Sequence, residues 1–375
     1  MRKANTFKII TFGCKVNQYE SAYIGEKLKE EKWMEAEADQ AADVYIINTC
    51  IVTERAAFQS RQAVRRARRA NPQAKIAVIG CYVQAYEQEL TSIPGIHLLS
   101  GNVGKSELPG VIIRLMNEEQ IACRVSAFVK KTAFDFMPIR GFLDRTRAFL
   151  KIQDGCESYC SYCIVPYARG PLRSLEPEKV ITNMQALAQE GYREVVLTGI
   201  HLGKYGSDLG SRTTLPDLLK RIGDEKLPLR IRLSSLEPQE VHESLIEMMA
   251  TENWLCRHLH VPLQSGDDQI LKKMNRHYTA QQYKNLIKKI RQKIPGIKIS
   301  TDIIVGFPGE TKKQFQNTLK LCKEIKFNKA YIARYSLRPG TPAAKLKDNV
   351  SLQEKKHRWQ ILENLINKKH VKKNV

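Results

Sequence analysis

Three cysteines, Cys156, Cys160 and Cys163, stand in the spacing C-x3-C-x2-C within "DGCESYCSYCIVPYARG", with no histidine close by. Thiolates set this close can wrap one metal centre. A closed zinc site takes four ligands, usually as two separated pairs, and no second pair or histidine follows at a fitting distance. A four-iron cluster normally takes four cysteines, so three leave one iron open to a substrate or cofactor. Three more cysteines, Cys14, Cys50 and Cys81, each close a short β-branched run: "KIITFGC", "DVYIINTC" and "KIAVIGC". Cysteine is common near buried strand ends, which would explain any one of them. Recurrence at one structural position asks for a shared cause.

The elements that must hold these thiols follow from periodicity. The three runs alternate with the helical patterns "NQYESAYIGEKLKEEKW" and "TERAAFQSRQAVRRARRA", as in the βαβ units of a parallel sheet. Parallel strands all end on one edge, so Cys14, Cys50 and Cys81 are expected side by side where open α/β sheets bind ligands. The expected fold class is α/β: an N-terminal parallel-sheet domain over residues 1–125, then a linker over 126–146, where the pattern fades and Pro138 and Gly141 act as breakers. Over 147–345 six candidate strands follow, "AFLKIQ", "EVVLTG", "LRIRLSS", "HLHVPL", "IKISTDIIVG" and "AYIARYSL", separated by helical segments. Six βα units make a partial TIM-type barrel with its chemistry at the strand C-termini. Residues 346–375 read as a C-terminal helix, apolar at Trp359, Leu362, Leu365 and Ile366, with a basic end.

Composition narrows the partners. A chain of 375 residues holds more than one core. Its 61 Lys and Arg against 39 Asp and Glu give a net charge of +22, which calls for RNA, DNA or an anionic membrane surface, nucleic acid first. No early stretch reads as a signal peptide and none approaches the roughly 18 apolar residues of a membrane span. The expectation is a cytoplasmic protein with no membrane partner. Its nine cysteines are then metal ligands or buried thiols rather than a disulfide framework.

The cysteine loop after a first barrel strand resembles that of the radical S-adenosylmethionine (SAM) enzymes. That resemblance implies a cluster whose open iron binds the methionine amino and carboxylate groups, with Tyr162 as the aromatic beside the adenine. More closely, "TFGCKVNQYES", "INTCIVTERA", "IGCYVQ", "FLKIQDGCESYCSYCIVPYARGPLRS", "RIRLSSLEP", "PLQSGDDQILKKMNRHYT", "STDIIVGFPGET" and "RPGTPAA" resemble the methylthiotransferase family over almost the whole chain. "GCKVNQ" and "RTRAFLKIQDGC" are most similar to the tRNA branch acting on N6-threonylcarbamoyladenosine beside the anticodon. The family implies two 4Fe-4S clusters, one on Cys14, Cys50 and Cys81, the other on Cys156, Cys160 and Cys163. It implies SAM used twice, as methyl donor and as source of a 5'-deoxyadenosyl radical that takes hydrogen from adenine C2, where methylthio is then attached. It also implies tRNA as partner and an electron donor such as a flavodoxin or ferredoxin.

Further SAM contacts are expected beyond the strand ends. Gly199 lies near the place where the superfamily binds the methionine amino group, although a plain strand-ending turn would use the same glycine. Ser235 and Glu237 follow the third strand, and Gly306 and Phe307 the fifth, where the adenine should stack. His201 reads as a local hydrogen-bonding residue. "GNVGKS" mimics a phosphate loop, but Gly101 and Gly104 are too close together; a turn before a helix capped by Ser106 suffices. Arg61, Arg65, Arg66, Arg68 and Arg69 stud one helix and could meet RNA phosphates, with Lys368, Lys369, Lys372 and Lys373 adding to them. Family members generally continue into a small RNA-gripping β-barrel, whereas this sequence stops at the helix leading to it, and Leu175 stands where relatives often have arginine. Two rivals remain: another radical SAM enzyme with an auxiliary cluster, and a zinc-containing RNA-binding protein.

Overall fold

The computed structural model describes residues 5–116, 122–130, 132–141, 147–210 and 213–368. Lys369, Lys372 and Lys373 lie outside them, as do residues 131 and 142–146 of the expected linker. The chain forms two compact units, Met1–Glu157 with Ile164–Tyr192, and Ser158–Cys163 with Arg193–Val375.

In the first unit the expected strands and helices form as β1 (Thr6–Thr11), α1 (Lys15–Glu30), β3 (Val44–Thr49), α2 (Glu54–Ala70) and β4 (Lys75–Gly80), and the structure adds β2 (Met34–Glu35) between α1 and β3, then α3 (Cys81–Thr91), β5 (Leu98–Ser100), α4 (Leu108–Leu115) and β6 (Ala122–Arg124). The sheet runs β2-β1-β3-β4-β5-β6 with every neighbouring pair parallel. Thr11 pairs with Asn48 and Thr49 with Gly80, so β1, β3 and β4 end level with one another. Helices cover both faces of such a sheet, which is why β3 and β4 are near-continuous apolar runs. Ile46, Ile47, Ile76, Val78 and Ile79 are completely buried, each contributing about 1.5–3 kcal/mol relative to exposure. Helix α2 packs through the small residues Ala56, Ala57, Ser60, Ala63 and Ala67 and leaves most of its arginines on the opposite face.

This unit continues through β7 (Arg147–Lys151), β8 (Gln153–Asp154), α5 (Val165–Arg169), β9 (Arg173–Ser174) and α6 (Pro177–Gln189). β8 and β9 pair antiparallel, with Asp154 opposite Arg173. The described residues of 126–141 form no helix or strand, yet they are packed down. Tyr19 donates its hydroxyl to the Met137 carbonyl, and the rings of Phe128 and Phe134 lie over Arg173 and Lys151 at 4.8 and 5.2 Å. Ser106 does not cap α4. It sits inside a 3-10 turn over Lys105–Glu107, and its amide is held by the Asp135 carboxylate at 3.1 Å.

In the second unit β10 (Glu194–Thr198), α7 (Leu215–Asp224), β11 (Arg230–Leu233), α8 (Glu243–Thr251), β12 (His258–His260), α9 (Asp268–Lys273), α10 (Ala280–Lys293), β13 (Lys298–Val305), α11 (Lys312–Ile325), β14 (Lys329–Arg334) and α12 (Leu352–Ile366) follow in order. β10 pairs with β11, and β12, β13 and β14 pair in sequence, all parallel; single parallel bridges from Ile231 to Leu255 and from Ser235 to His260 link the two groups. With β7, all six expected barrel strands form. Thr214, Thr279 and Thr311 start α7, α10 and α11 with reciprocal capping boxes, each worth about 1 kcal/mol. Helix α12 buries Leu362 and Ile366, while Trp359 donates its indole N–H to the Ile332 carbonyl at 2.9 Å.

Candidate functional site

Cys14 follows β1, Cys50 follows β3, and Cys81 opens α3 directly after β4, so three thiols stand at three adjacent carboxyl ends. Two glycines permit this approach. Gly13 has φ +96°, and a Cβ there would lie 2.6 Å from the Cys50 sulfur; Gly80 has φ +100°, and a Cβ there would meet Asn48 Oδ1 at 2.7 Å. Cys50 and Cys81 are buried. Burial pushes the Cys50 thiol up to about 12, and the charges of Cys81 and Cys14 push the same way. Cys14 is the exposed member. Water reaches it, although the dense protein around it also raises its thiol, with the Arg169 guanidinium opposing; for ligation its exposure is the more telling property.

A buried charge network lies against these thiols. Arg169, 1% exposed, donates from Nε to the Cys81 sulfur at 3.2 Å, from Nη1 to Glu20 at 2.5 Å, and from Nη2 to Asn17 at 2.6 Å. Lys105 pairs with the other Glu20 oxygen. Asp154 is flanked by Lys151, Arg169 and Arg173, each at 3.4 Å. Asn102 donates to Cys81 at 3.5 Å and to the Ala168 carbonyl at 2.6 Å, while its buried Oδ1 has no partner among the described residues. Burial alone would raise the Glu20 carboxyl, but Arg169, Lys105 and Lys151 together hold it well below its usual range. Asp154 is lowered in the same way by Arg169, Lys151 and Arg173. Burial lowers Lys105 against the pull of Glu20.

The second set of thiols is positioned by different means. Cys156 sits in the first unit, its amide donating to the Gly170 carbonyl at 3.0 Å. Gly155 before it, at φ +78°, has no room for a Cβ, which would fall 1.7 Å from the Pro171 carbonyl oxygen. Cys160 and Cys163 belong to the second unit, where the residues ending α9 fix their loop. Asn275 donates to the carbonyls of Ser158 and Tyr159 at 3.2 and 3.1 Å, and Ser161 bonds the carbonyls of Lys273 and Met274. His201 joins Ser158 Oγ at 3.3 Å to Glu240 at 2.5 Å, the hydrogen-bonding part expected of it. Arg276 donates to the Cys160 sulfur at 3.3 Å and forms an ion pair with Glu237. Tyr162, partly buried, packs with Ile270, Met274, Phe307, Tyr335 and Ala343.

The remaining expected SAM contacts fall at the carboxyl ends of β10, β11 and β13. The Gly199 amide lies 3.4 Å from Ser234 Oγ, and Ser235 is exposed. Glu237 is engaged by Arg276. The Gly306 amide donates to Glu310 at 2.6 Å. Phe307 is fully buried, with its ring edge-on to Tyr335 at 5.4 Å, so no face of it is offered to solvent. On α2, Arg65, Arg66, Arg68 and Arg69 are exposed; Arg61 is half-buried and bonds the Tyr82 hydroxyl, and Arg68 also reaches the Pro94 carbonyl at 3.2 Å. Leu175 is buried.

The sulfur sites suit iron clusters chemically. Both donor sets are thiols only, the first set within a glycine cradle, and each has a guanidinium hydrogen-bonded to one sulfur.

Comparison with known proteins decides the family. The threonylcarbamoyladenosine tRNA methylthiotransferase MtaB of Bacillus subtilis (strain 168) is 41% identical over 93% of this chain and 77% of its own length. This chain belongs to the methylthiotransferase family. Similar too are the MtaB of Aquifex aeolicus (strain VF5), 38% identical over 96% of this chain and 87% of its own, and the tRNA-2-methylthio-N(6)-dimethylallyladenosine synthase of Clostridium botulinum (strain Hall / ATCC 3502 / NCTC 13319 / Type A), 36% identical over 98% and 83%. Residues 150–322 match the Radical SAM superfamily, and residues 6–101 match Uncharacterized protein family UPF0004. Among solved structures, the radical S-adenosylmethionine methyltransferase TsrM from Kitasatospora setae shares the fold of this methylthiotransferase, with a TM-score of 0.64 at 16% identity over 91% of this chain and 74% of that one.

Sequence reasoning missed Glu20, Asn102, Lys105, Lys151, Asp154, Arg169, Arg173 and Arg276 as parts of these sites. One signal was available: Glu20 falls, with Asn17, on the helical face that also carries Val16, Tyr23 and Ile24, a charge among residues patterned for burial.

Proposed function

We propose that this methylthiotransferase attaches a methylthio group to C2 of N6-threonylcarbamoyladenosine in tRNA, with SAM serving both as methyl donor and as source of a 5'-deoxyadenosyl radical. Cys14, Cys50 and Cys81 hold one 4Fe-4S cluster, and Cys156, Cys160 and Cys163 hold the other, each short of one protein ligand. When bound, the clusters supply the electron that cleaves SAM and an open iron for outside ligands. The carrying observation is that three cysteines far apart in sequence meet at adjacent strand ends in a chain that also bears the C-x3-C-x2-C loop.

The chain's own residues position and insulate. Asn275, Ser161 and His201 hold the cysteine loop in shape through bonds to its backbone and to Ser158. Arg276 offsets thiolate charge at Cys160 and is itself neutralised by Glu237. Gly199, Ser235 and Gly306 offer backbone and hydroxyl groups to SAM, and Tyr162 lies beside its adenine. Phe307 supports that place from behind, as part of the apolar cluster that includes Tyr162. Arg65, Arg66, Arg68 and Arg69 present charge to RNA phosphates, with Arg61 on the same helix held by Tyr82. A flavodoxin or ferredoxin supplies the electron. Among the described residues no helix is long and apolar enough to cross a membrane.

The threonylcarbamoyl substrate is favoured over the dimethylallyl one by the motifs "GCKVNQ" and "RTRAFLKIQDGC" and by the names of the relatives at 38–41% identity. Anaerobic reconstitution, followed by nucleoside mass spectrometry on tRNA bearing either modification, tests it. Methylthio product on the threonylcarbamoyl nucleoside is expected. Product on the dimethylallyl nucleoside alone would overturn the substrate, and 5'-deoxyadenosine without any methylthio product would favour a different radical SAM reaction.

A further inference from the structure

Among the described residues, the first unit buries more positive than negative charge beside its sulfurs. Lys105, Lys151, Arg169 and Arg173 face only Glu20 and Asp154, and no one of these side chains is more than 5% exposed. Removing charges from water is costly, and a surplus of one sign is stable only where a charge of the other sign meets it. The surplus points at Cys81 through one group. Arg169 bonds that sulfur from Nε, while both its Nη nitrogens are held by Glu20 and Asn17, so the guanidinium cannot turn away. Arg173 adds a bond to the Arg169 carbonyl at 2.9 Å, fixing the end of α5 as well.

Building on the proposed cluster at Cys14, Cys50 and Cys81, we infer that Arg169 is a positioning residue that raises the reduction potential of that cluster by an N–H···S bond to Cys81 and by fixed positive charge. The reduced cluster carries one more negative charge than the oxidised one. A hydrogen bond to a ligand sulfur and a nearby cation therefore stabilise the reduced form more. In a buried, weakly screened site that preference is larger than at a surface. Arg276 makes a comparable bond to Cys160, but its charge is matched by Glu237, so the two sites differ in net charge. Lysine cannot replace Arg169 in full, because only a planar fork bonds Cys81, Glu20 and Asn17 together.

The test uses the full chain with Cys156→Ala, Cys160→Ala and Cys163→Ala, reconstituted with iron and sulfide, so that only the first cluster contributes. An EPR-monitored redox titration is then run with Arg169 intact, with Arg169→Lys and with Arg169→Met. The potential should move to more negative values in Arg169→Lys, which keeps charge and loses the sulfur bond, and further in Arg169→Met. Should Arg169→Met fail to fold, Arg169→Lys decides. Independently, the otherwise native holoenzyme labelled with 15N-arginine should show nitrogen hyperfine coupling to the first cluster, and Arg169→Lys should lose it. Unchanged potentials in variants that keep their iron, or an arginine coupling in the holoenzyme that Arg169→Lys leaves undiminished beside that of Arg276, overturn this inference alone. Absence of a cluster from the parent carrying Arg169 overturns the reading on which it rests.

Discussion

The two sets of thiols solve one chemical problem in opposite ways. Cys14, Cys50 and Cys81 come from three strand ends and owe their meeting to sheet order and level registers. Cys156, Cys160 and Cys163 come from one short loop and owe their shape to nearby backbone bonds, notably from Asn275 and Ser161. The guanidinium beside Cys81 sits in a buried network rich in cations, while the one beside Cys160 is matched by Glu237, whose side chain is 25% exposed. A site gathered from distant segments depends on the whole unit for its geometry. A site on one loop has its spacing written in a single stretch of sequence.

Separating the sites by mutation should give the largest effect. Replacing Cys14, Cys50 and Cys81 by Ala should leave about half the iron, preserve reductive cleavage of SAM to 5'-deoxyadenosine and abolish methylthio transfer, if, as proposed, each set of thiols holds its own four-iron cluster. The corresponding triple replacement at Cys156, Cys160 and Cys163 should abolish both. Iron analysis and product chromatography read the difference, and methylthio nucleoside from the first variant would erase the division of labour.

Stability should separate the sites next. Glu20→Gln removes a wholly buried partner of Arg169 and Lys105 and is expected to cost about 3–5 kcal/mol in urea unfolding of the first unit. Glu237→Gln acts on a partly exposed pair and should cost less, about 1.5–3 kcal/mol. Equal losses would mean that burial is not what distinguishes the two arginines.

Acid should sharpen the same contrast. The folded Glu20 and Asp154 carboxyls ionise below their unfolded values. Their contribution is therefore complete above about pH 4, where unfolded carboxyls ionise, and is lost as pH falls through the depressed folded values. Thermal melts between neutral and strongly acid pH should show this loss, and Glu20→Gln should flatten part of it. An acid limb of unchanged steepness in that variant would place the sensitivity elsewhere.

The smallest effect on the fold is expected from exposed cations. Arg65→Glu, Arg66→Glu and Arg69→Glu should leave the Tm nearly unchanged, in contrast to any change at Arg169. They should weaken tRNA binding and lower the slope of log affinity against log salt by about 0.7–0.9 for each phosphate that is no longer neutralised. A salt slope equal to that of the parent would remove α2 from the RNA surface.

Much of the architecture is legible in the sequence. Apolar, β-branched runs pointed to β1, β3 and β4 and to the six barrel strands, because burial on two faces leaves little freedom in composition, whereas the short β2, β5, β6, β8 and β9 carried no such signal. The one helix cap read from sequence, Ser106, does not form, whereas the structure caps helices at Thr53, Thr214, Thr279, Thr311 and Ser351 by local side-chain bonds. Asp135, far along the chain, instead holds the Ser106 amide within a tighter turn. "GNVGKS", read from sequence only as a turn before a helix, sends Asn102 and Lys105 to Cys81 and Glu20.

The sequence by itself singled out six thiols as candidate iron ligands and determined on which edge of a parallel sheet three of them stand, since strand direction and side-chain chemistry are local properties. Only the tertiary structure decided that Arg169 meets Cys81, that Glu20 is buried between Arg169 and Lys105, and that Phe307 turns inward. A charged residue reads from sequence as a solvated one. Whether it is buried, and which distant partner neutralises it, depends on packing between segments that no local pattern records.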